Sequence, residues 1–487
     1  MSSKSRASGL RNATVRFIGF YLLWLVPRVQ PVIANVVMRD DWVHLPAGHL
    51  FSYRPLLAGD LWMWRHVFGA GYLVSVWPKL IAGMWIALTA TLLACVIARM
   101  GATKAGVLLV PASFVLHPIV NELTMFNVMS GVNLALLLAI AASLVRSTSF
   151  RATVFAGCLL ALALCGYQIV LFVPVVLWAA SAIVTGEPIK SRDLVARGGT
   201  LVLGSALYGA YIVFSRLVLD IDAWGGRGIA AGAALSWERV AAVRHGITNA
   251  VADLIQPMLS YFVSIEFAYR AWWWVPLLLG LTIGLLHRRG GIVAASLRAS
   301  LPVALPIIAC GYIVVLNWVP SGWRVGGPAL LAWSVALIPL FTTGNRRISK
   351  WAAILLLVWS VASGAVTLAD ARLRVAAQEL DAAIVRDLAR AVSSHGAPSP
   401  VTIELLVINR MAVGRRGILA GFSPVSISDY SNLLSPWSFP KAFLSARGVD
   451  AATSELGGDC RSLLADRRYA VRVDPVTSRP VLCLATN

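Results

Sequence analysis

The sequence ATVFAGCLLALALCGYQIVLFVPVVLWAASAIVT, residues 152–185, decides how the whole chain is threaded. Its 34 residues carry no charge. A membrane-spanning helix needs about 20 apolar residues, so this stretch is too long for a single crossing. The polar pair Tyr167-Gln168 after Gly166 predicts a tight hairpin or a helix interruption, which divides the stretch into two spans. Reading it as one span would invert the orientation of every later segment.

The composition of the rest of the chain excludes an ordinary soluble enzyme. Of 487 residues, 58% are hydrophobic and only 13% are charged, and the mean hydropathy is +0.75. The net charge of +20 would suggest nucleic acid if the basic residues shared one solvated face. They fall instead in small clusters between apolar runs, so no nucleic-acid partner is expected. The sequence has no glycine-rich phosphate loop and no zinc-type Cys/His spacing.

The apolar runs predict a mainly α-helical polytopic membrane bundle of about eleven spans. Turn and charge signals separate one run from the next. The predicted spans are residues 17–38, 76–98, 105–119, 128–145, 152–166, 168–185, 198–219, 271–287, 301–319, 328–343 and 351–369.

The distribution of basic residues predicts the orientation of these spans. One set of short loops and the N-terminal segment hold seventeen Lys and Arg, whereas the short loops on the other side hold Arg324 alone. Short cytoplasmic loops carry the excess of positive charge. The N-terminus is therefore predicted to be cytoplasmic and the C-terminus outside, in a bacterial inner membrane. The first apolar stretch lacks a small-residue cleavage site, so no cleavable signal peptide is expected.

The segments outside the membrane are also predicted to be structured. The long outer loops 38–75 and 220–270 show helical periodicity with aromatic residues, which suits helices lying in the interface. Residues 1–370 are predicted to form the membrane domain, and residues 371–487 a small extracytoplasmic α/β domain. That domain is expected to hold an amphipathic helix, Asp370 to Val392, and strands at 401–408 and 468–473. In an oxidising compartment Cys460 and Cys483 form a disulfide or remain two free thiols.

Acidic residues are scarce in the first 370 residues, so their positions are informative. There are twelve, and all except Glu187 and Asp193 fall on the predicted outer side or at its border. Asp40-Asp41 follows the first span and precedes Trp42. Adjacent carboxylates raise each other's pKa, which suits a group that accepts a proton near neutral pH. The simpler alternative is a solvated helix end.

Four further polar motifs share the predicted outer face: Tyr53-Arg54-Pro55-Leu56, Asn121-Glu122, Tyr167-Gln168 and Trp323-Arg324. Together with the Asp pair they supply three kinds of group. The candidate bases are Asp40, Asp41 and Glu122, the candidate phosphate-binding guanidiniums are Arg54 and Arg324, and the candidate sugar-binding groups are Trp42, Tyr53, Asn121, Tyr167 and Gln168.

Each of these motifs also has a structural alternative. Arg324 suits an interfacial anchor, Tyr167-Gln168 a polar hairpin that satisfies itself, and Glu122 a solvated loop acid. Arg28 lies inside the first predicted span. Because a charge in lipid is costly, we expect it to face a protein or water-lined interior.

The order of these motifs resembles that of integral-membrane glycosyltransferases of the GT-C class, and more narrowly the serotype-converting Gtr-type glucosyltransferases. The resemblance covers most of the first 330 residues: the Asp pair, the aromatic-Arg-Pro-Leu motif, Pro118 with Asn121-Glu122, Tyr167-Gln168, the late Arg324 and a small outer C-terminal domain. It implies a polyprenyl-phosphate sugar as donor, an acceptor glycan or lipid-linked glycan such as lipopolysaccharide O-antigen, and inversion at the anomeric carbon. No cofactor is expected. A divalent metal on Asp40, Asp41 and Glu122 is left open.

Other functions for the same pattern are a lipid or glycan transporter, another acyl- or phospho-transferase of the cell envelope, and a structural scaffold. A transporter would need an internal repeat and ionisable groups near the midplane of the membrane. The sequence shows no convincing repeat. A scaffold does not explain why five polar motifs share one face.

Overall fold

A computed structural model provides the architecture of the chain. It describes residues 3–34, 54–69, 75–125, 130–145, 149–187, 190–218, 237–262, 270–288, 291–315, 327–394, 401–407, 433, 444, 451–454, 460, 469–473 and 480–486.

Helices make up most of the described residues. They are α1 (Ser3–Leu25), α2 (Val29–Ile33), α3 (Pro55–Phe68), α4 (Trp77–Arg99), α5 (Lys104–Leu116), α6 (Ile119–Thr124), α7 (Ser130–Leu144), α8 (Phe150–Gly166), α9 (Val173–Thr185), α10 (Ser191–Val218), α11 (Trp237–Phe262), α12 (Trp274–His287), α13 (Ile292–Ala309), α14 (Tyr312–Val315), α15 (Gly327–Ala336) and α16 (Arg346–Ser394), with 3-10 turns at Val26–Arg28, Gln168–Phe172 and Ile338–Phe341.

Five helical segments in the described part of the chain are long and apolar enough to cross a membrane. They are Trp77–Arg99, Gln168–Thr185, Ser191–Val218, Ile292–Ala309 and Arg346–Ala391. Five shorter apolar helices accompany them. The prediction of a mainly helical membrane protein is confirmed at this level, whereas the count of eleven spans stays a prediction.

The stretch at 152–185 is divided at the predicted position. Helix α8 ends at Gly166, Tyr167 is extended, and a 3-10 turn leads into α9, where Pro174 occupies the first turn. A proline at that place costs no helical hydrogen bond.

The direction of the neighbouring helix supports this division. Gly157 of α8 lies against Leu203 of α10, and Leu160 lies against Gly204. The residue numbers increase in the same direction along the two helices, so α8 and α10 are parallel. Helix α9, which connects them, must therefore run in the opposite direction. Small residues such as these two glycines let membrane helices approach closely.

Helix α1 packs closely against α4 at Gly83 and ends in a break. A Cβ added to Gly83 would lie 2.3 Å from the Trp24 ring, so only glycine leaves room for the indole there. Pro27 then interrupts the helix, and Val26–Arg28 form a 3-10 turn. The break turns Arg28 into the bundle, where its side chain is fully buried. This agrees with the expectation of an interior-facing arginine.

Helix α16 is continuous across the predicted boundary at residue 370. It has 49 residues and is therefore about 73 Å long, against about 30 Å of hydrocarbon. The predicted span 351–369 and the predicted helix from Asp370 onward are parts of this one element. The boundary at residue 370 thus lies within a helix rather than at a loop.

The C-terminal strands form a four-stranded sheet in the order β2-β1-β4-β3. The strands are β1 (Val401–Val407), β2 (Ala451–Ser454), β3 (Tyr469–Val473) and β4 (Pro480–Thr486). Strand β1 is parallel to β2 and β4, whereas β3 is antiparallel to β4. The sequence predicted β1 and β3 at these places.

The last turns of α16 pack on this sheet. Ile384 and Leu388 are buried with Leu482 and Leu484 of β4. Cys483, also in β4, forms a disulfide with Cys460, and their Cα atoms are 5.5 Å apart. The sequence left open whether these cysteines form a disulfide or remain free thiols, and the structure contains the disulfide.

Candidate functional site

Two of the predicted outer motifs meet where α8 ends. Arg54 immediately precedes α3, and its Cζ lies 4.7 Å from the centre of the Tyr167 ring. Both side chains are buried. A guanidinium over an aromatic face is held by the ring's quadrupole, more strongly when water is excluded. The interaction therefore fixes the place and the orientation of a buried cation.

Local backbone features bring these two residues together. Pro55 begins α3 at a position where its missing N–H is not needed. Leu56 then lies against Gly166, since a Cβ on Gly166 would be 2.9 Å from Leu56 Cδ2 and 2.9 Å from Ala135 Cβ. The glycine before Tyr167 thus lets the Arg-Pro-Leu segment approach the interruption in the apolar stretch.

Gln168 makes a contact that the sequence did not indicate. Its Nε2 donates a 2.5 Å hydrogen bond to Tyr208 Oη on α10. The polar interruption therefore has a partner 40 positions later in the sequence, in addition to the local backbone hydrogen bonds of the turn. Gln168 ties the Tyr167 turn to α10.

A second polar cluster surrounds Asn121, which lies in the short helix α6. Arg28 Nε donates to Asn121 Oδ1 at 2.6 Å. Asn121 Nδ2 donates to Asp370 Oδ2 at 2.6 Å, and Arg374 Nε donates to the same oxygen at 2.9 Å. All four side chains are buried. We call Arg28, Asn121, Asp370 and Arg374 the Asn121 cluster.

The Asn121 cluster joins segments that are far apart in the sequence and carries a net charge. Its two guanidiniums and one carboxylate sum to +1. Asn121 accepts from an arginine and donates to a carboxylate, so its amide orientation is determined by its partners. Buried charges with hydrogen-bonded partners are costly to break, because a removed partner leaves a charge uncompensated.

The other contacts of Arg28 show that it organises the cluster. Its Nη1 donates to Trp24 O at 3.0 Å and its Nη2 to His117 O at 3.3 Å. All three of its nitrogens are thus engaged by protein acceptors. Arg28 connects the break after α1 with the turn that precedes α6.

His117 is a structural histidine in this arrangement. Its Nε2 lies 3.0 Å from Leu254 O, and its Nδ1 accepts from Ile119 N at 3.3 Å. A carbonyl can only accept, so Nε2 carries the proton and Nδ1 does not. Both ring nitrogens are therefore used in holding α11 and α6, and His117 is a poor candidate for a base.

A small, mainly apolar cavity lies beside Tyr167. It has a volume of about 10 Å³, and Leu123, Asn133, Tyr167 and Gly327 are among its lining residues, a size that matches one water site. Leu123 follows Glu122, and a Cβ on Gly327 would be 3.2 Å from Leu123 Cδ1. Gly327 comes three residues after Arg324 in the sequence. The lining therefore contains Tyr167 itself and one residue close in sequence to each of two other motifs, Asn121-Glu122 and Trp323-Arg324.

Several predicted site residues fall outside the part of the chain that the structure describes. These are Asp40, Asp41, Trp42, Tyr53 and Arg324. Glu122 lies in α6, and its backbone alone is described. Within the described residues, no group of three or more His, Cys, Asp or Glu side chains is arranged to hold a metal ion.

Three members of the Asn121 cluster were not predicted as site residues. Arg28 was predicted only to face the interior. Asp370 and Arg374 have the i, i+4 spacing of a helical ion pair, and that spacing was the available signal. The link from Asn121 to Asp370 spans 249 positions and has no sequence signal.

No protein-family model, curated protein or solved structure matches this chain.

Proposed function

We propose that this protein is a membrane glycosyltransferase of the GT-C type. It transfers a sugar, a hexose such as glucose, from a polyprenyl-phosphate donor to a cell-surface or lipid-linked glycan. The reaction takes place at the outer face of the bacterial inner membrane. The observation that carries this proposal is the contact of Arg54 with Tyr167, because it joins two motifs of the resemblance that lie far apart in the sequence.

Arg54 is assigned to the donor phosphate. A guanidinium matches phosphate oxygens with two parallel hydrogen bonds. Its stacking on Tyr167 keeps the fork in one plane, and its burial strengthens its electrostatic effect. Arg324 is assigned to the same phosphate, with support from the packing of Gly327 beside Leu123.

The proposed chemistry is a direct displacement. An acceptor hydroxyl attacks the anomeric carbon, the bond from that carbon to the phosphate oxygen breaks, and the configuration inverts. The phosphate leaves with the bonding electron pair, and the arginines neutralise its charge. The hydroxyl proton passes to a carboxylate, for which Asp40, Asp41 and Glu122 are the candidates.

The Asn121 cluster and a hydrogen bond of α16 hold described residues that are close in sequence to these carboxylates. Asn121 directly precedes Glu122. Ala34, six residues before Asp40 in the sequence, accepts a 3.2 Å hydrogen bond from Gln378 of α16. The chain therefore leaves α2 beside the helix that also holds Asp370 and Arg374.

The proposed topology has eleven spans with the N-terminus inside and the C-terminus outside. The parallel direction of α8 and α10 supports separate crossings for α8 and α9. The sheet at the end of α16 then lies outside, and we assign it to holding the acceptor.

The experiment that tests this function supplies the purified protein with a panel of polyprenyl-phosphate sugars and a glycan acceptor. We expect one donor to be consumed and its sugar to appear on the acceptor. Consumption of none of the donors in the presence of a range of acceptors would contradict the proposal.

A transporter of the same lipid-linked sugar is the second candidate. The buried charges of Arg28, Lys79 and Arg374 favour it, because ionisable groups inside a bundle mark transport pathways. In vesicles, a transporter moves the donor between leaflets without consuming it. The same donor panel, followed on both sides of the vesicle, separates the two functions.

A further inference from the structure

A polar cavity lies away from the candidate site, at the other end of the bundle. It has a volume of about 370 Å³, which is within the range of ligand-binding pockets. The ends of α4, α7 and α9 and the starts of α8 and α10 surround it. Tyr167, by contrast, lies between the end of α8 and the start of α9. The cavity is therefore on the predicted cytoplasmic side.

Charged groups of both signs line this cavity. They are Arg99 and Arg197, and Glu187 and Asp193. Within the described residues no ion pair joins these arginines to these acids. Two positive and two negative groups thus share one space without neutralising each other in direct contact.

One of the arginines is held in a fixed place. Arg197 Cζ lies 5.7 Å from the centre of the Trp178 ring. The Trp178 indole Nε1 in turn donates a 3.1 Å hydrogen bond to Ser143 O on α7. Three helices, α7, α9 and α10, therefore position this guanidinium.

Three hydroxyl groups of the lining provide acceptors. Ser143, Thr185 and Thr200 each donate to a carbonyl of their own helix. Their hydrogens are thus in use, and each oxygen can still accept, although Thr185 Oγ1 already accepts one hydrogen bond, from Glu187 N. The cavity offers guanidinium donors for an anion and several acceptors for a cation that carries hydrogens.

The surroundings indicate a lipid rather than a soluble ligand. Trp and Arg side chains at helix ends are typical of the membrane interface, and basic pockets between helices on the cytoplasmic side bind lipid headgroups. Leu194 and Val195, beside the cavity-lining Asp193 and Ala196, are exposed, as is Phe155 of α8. These side chains provide an apolar surface for acyl chains.

We propose that this cavity binds the headgroup of a zwitterionic phospholipid that carries both a phosphate and a primary ammonium, as an ethanolamine headgroup does. The arginines bind the phosphate, and Glu187, Asp193 and the hydroxyl oxygens bind the ammonium. The acyl chains lie along the exposed apolar side chains of α8 and α10.

The test measures lipid binding to the purified full chain by native mass spectrometry. The probes are short-chain phosphatidylethanolamine, phosphatidylglycerol, phosphatidylcholine and free phosphoethanolamine. We expect phosphatidylethanolamine to bind at least fivefold more tightly than each of the others. Phosphatidylglycerol lacks the ammonium group, and free phosphoethanolamine lacks the acyl chains. Phosphatidylcholine has a quaternary ammonium without N–H hydrogens.

Variants connect this preference to the cavity. Arg197→Gln and Asp193→Asn are each expected to weaken phosphatidylethanolamine binding at least fivefold. The matched control is Arg192→Gln, an exposed arginine of the same helix that does not line the cavity, and it is expected to bind as the unaltered protein does. Arg99→Gln, on α4, replaces Arg197→Gln if the melting temperature shows that the latter does not fold.

Four results would overturn the proposal. Equal affinity for the three lipids would indicate ordinary annular lipid. Equally tight binding of free phosphoethanolamine would indicate a soluble ligand. Unchanged phosphatidylethanolamine binding in the cavity variants, or equal weakening in Arg192→Gln, would place the lipid elsewhere.

Discussion

Arg28 and Asn121, which are 93 residues apart in the sequence, are joined inside the bundle by a 2.6 Å hydrogen bond. The same asparagine reaches Asp370 through its other amide atom. One neutral side chain therefore bridges a cation and an anion that come from opposite ends of the membrane-embedded sequence.

Replacing Asn121 with leucine tests this bridge. Asn121→Leu removes an acceptor from Arg28 and a donor from Asp370, both of which are buried. We expect the free energy of unfolding to fall by about 3 kcal/mol. Thermal unfolding in detergent measures the change. The control is Asn249→Leu, at an exposed position, and equal melting of the two variants would contradict the bridging role.

Replacing Arg54 with lysine tests the assignment to phosphate. Lysine keeps the charge but loses the planar fork, so we expect donor turnover to fall roughly tenfold or more. Arg65→Lys, on the exposed side of the same helix, is expected to leave turnover unchanged. Normal turnover of Arg54→Lys, at normal protein abundance, would show that Arg54 does not bind the phosphate.

The contact of Trp24 with Gly83 predicts a specific pattern of stability. Gly83→Ala places a methyl group 2.3 Å from the indole, and relieving this overlap is expected to cost about 1–3 kcal/mol. Gly19→Ala, with no atom within 4 Å of the added carbon, is the control. In a Trp24→Ala background the cost of Gly83→Ala should disappear. A cost that persists in that background would exclude the indole as its cause.

The contact between Tyr469 and Asp387 predicts a pH dependence. Tyr469 Oη donates to Asp387 Oδ2 at 2.7 Å, and this hydrogen bond, with burial and the charge of Asp387, raises the tyrosine's pKa above 10.0. The raised pKa belongs to the folded state, so the stabilisation is complete below pH 10 and is lost as the pH rises through the folded-state pKa.

Comparison with Tyr469→Phe measures this effect. The difference in melting temperature between the two proteins should be constant from pH 7 to about pH 9 and should shrink above pH 10. A difference that does not change up to pH 11 would show that the phenol's ionisation is not coupled to folding.

The proposed topology predicts the location of the sheet. A phosphatase reporter that is active only outside the cytoplasm, fused after residue 395, should be active. The same reporter fused after residue 345, at the start of α16, should be inactive. Equal activity of the two fusions would contradict a single crossing by α16.

The sequence alone was sufficient for features that depend on neighbouring residues. The break at Tyr167 was predictable because an apolar stretch longer than one span must be interrupted, and Gly166-Tyr167-Gln168 is its polar point. The strands β1 and β3 were predictable as short strand-like runs with Pro-, Ser- and Gly-rich turns between them. The predicted domain boundary at residue 370 lies inside a continuous helix. The sequence gives the reason, because no glycine or proline that could end the helix follows residue 370 until Gly396.

The partners of the polar residues were decided by the tertiary structure. Hydropathy and charge report whether a residue prefers lipid, water or the protein interior, and this preference is enough to predict a mainly helical membrane protein. They do not report which helices become neighbours. The hydrogen bonds of Arg28 to Asn121 and of Asn121 to Asp370, and the stacking of Arg54 on Tyr167, require side chains from separate helices to reach one place, and only helix packing brings them there.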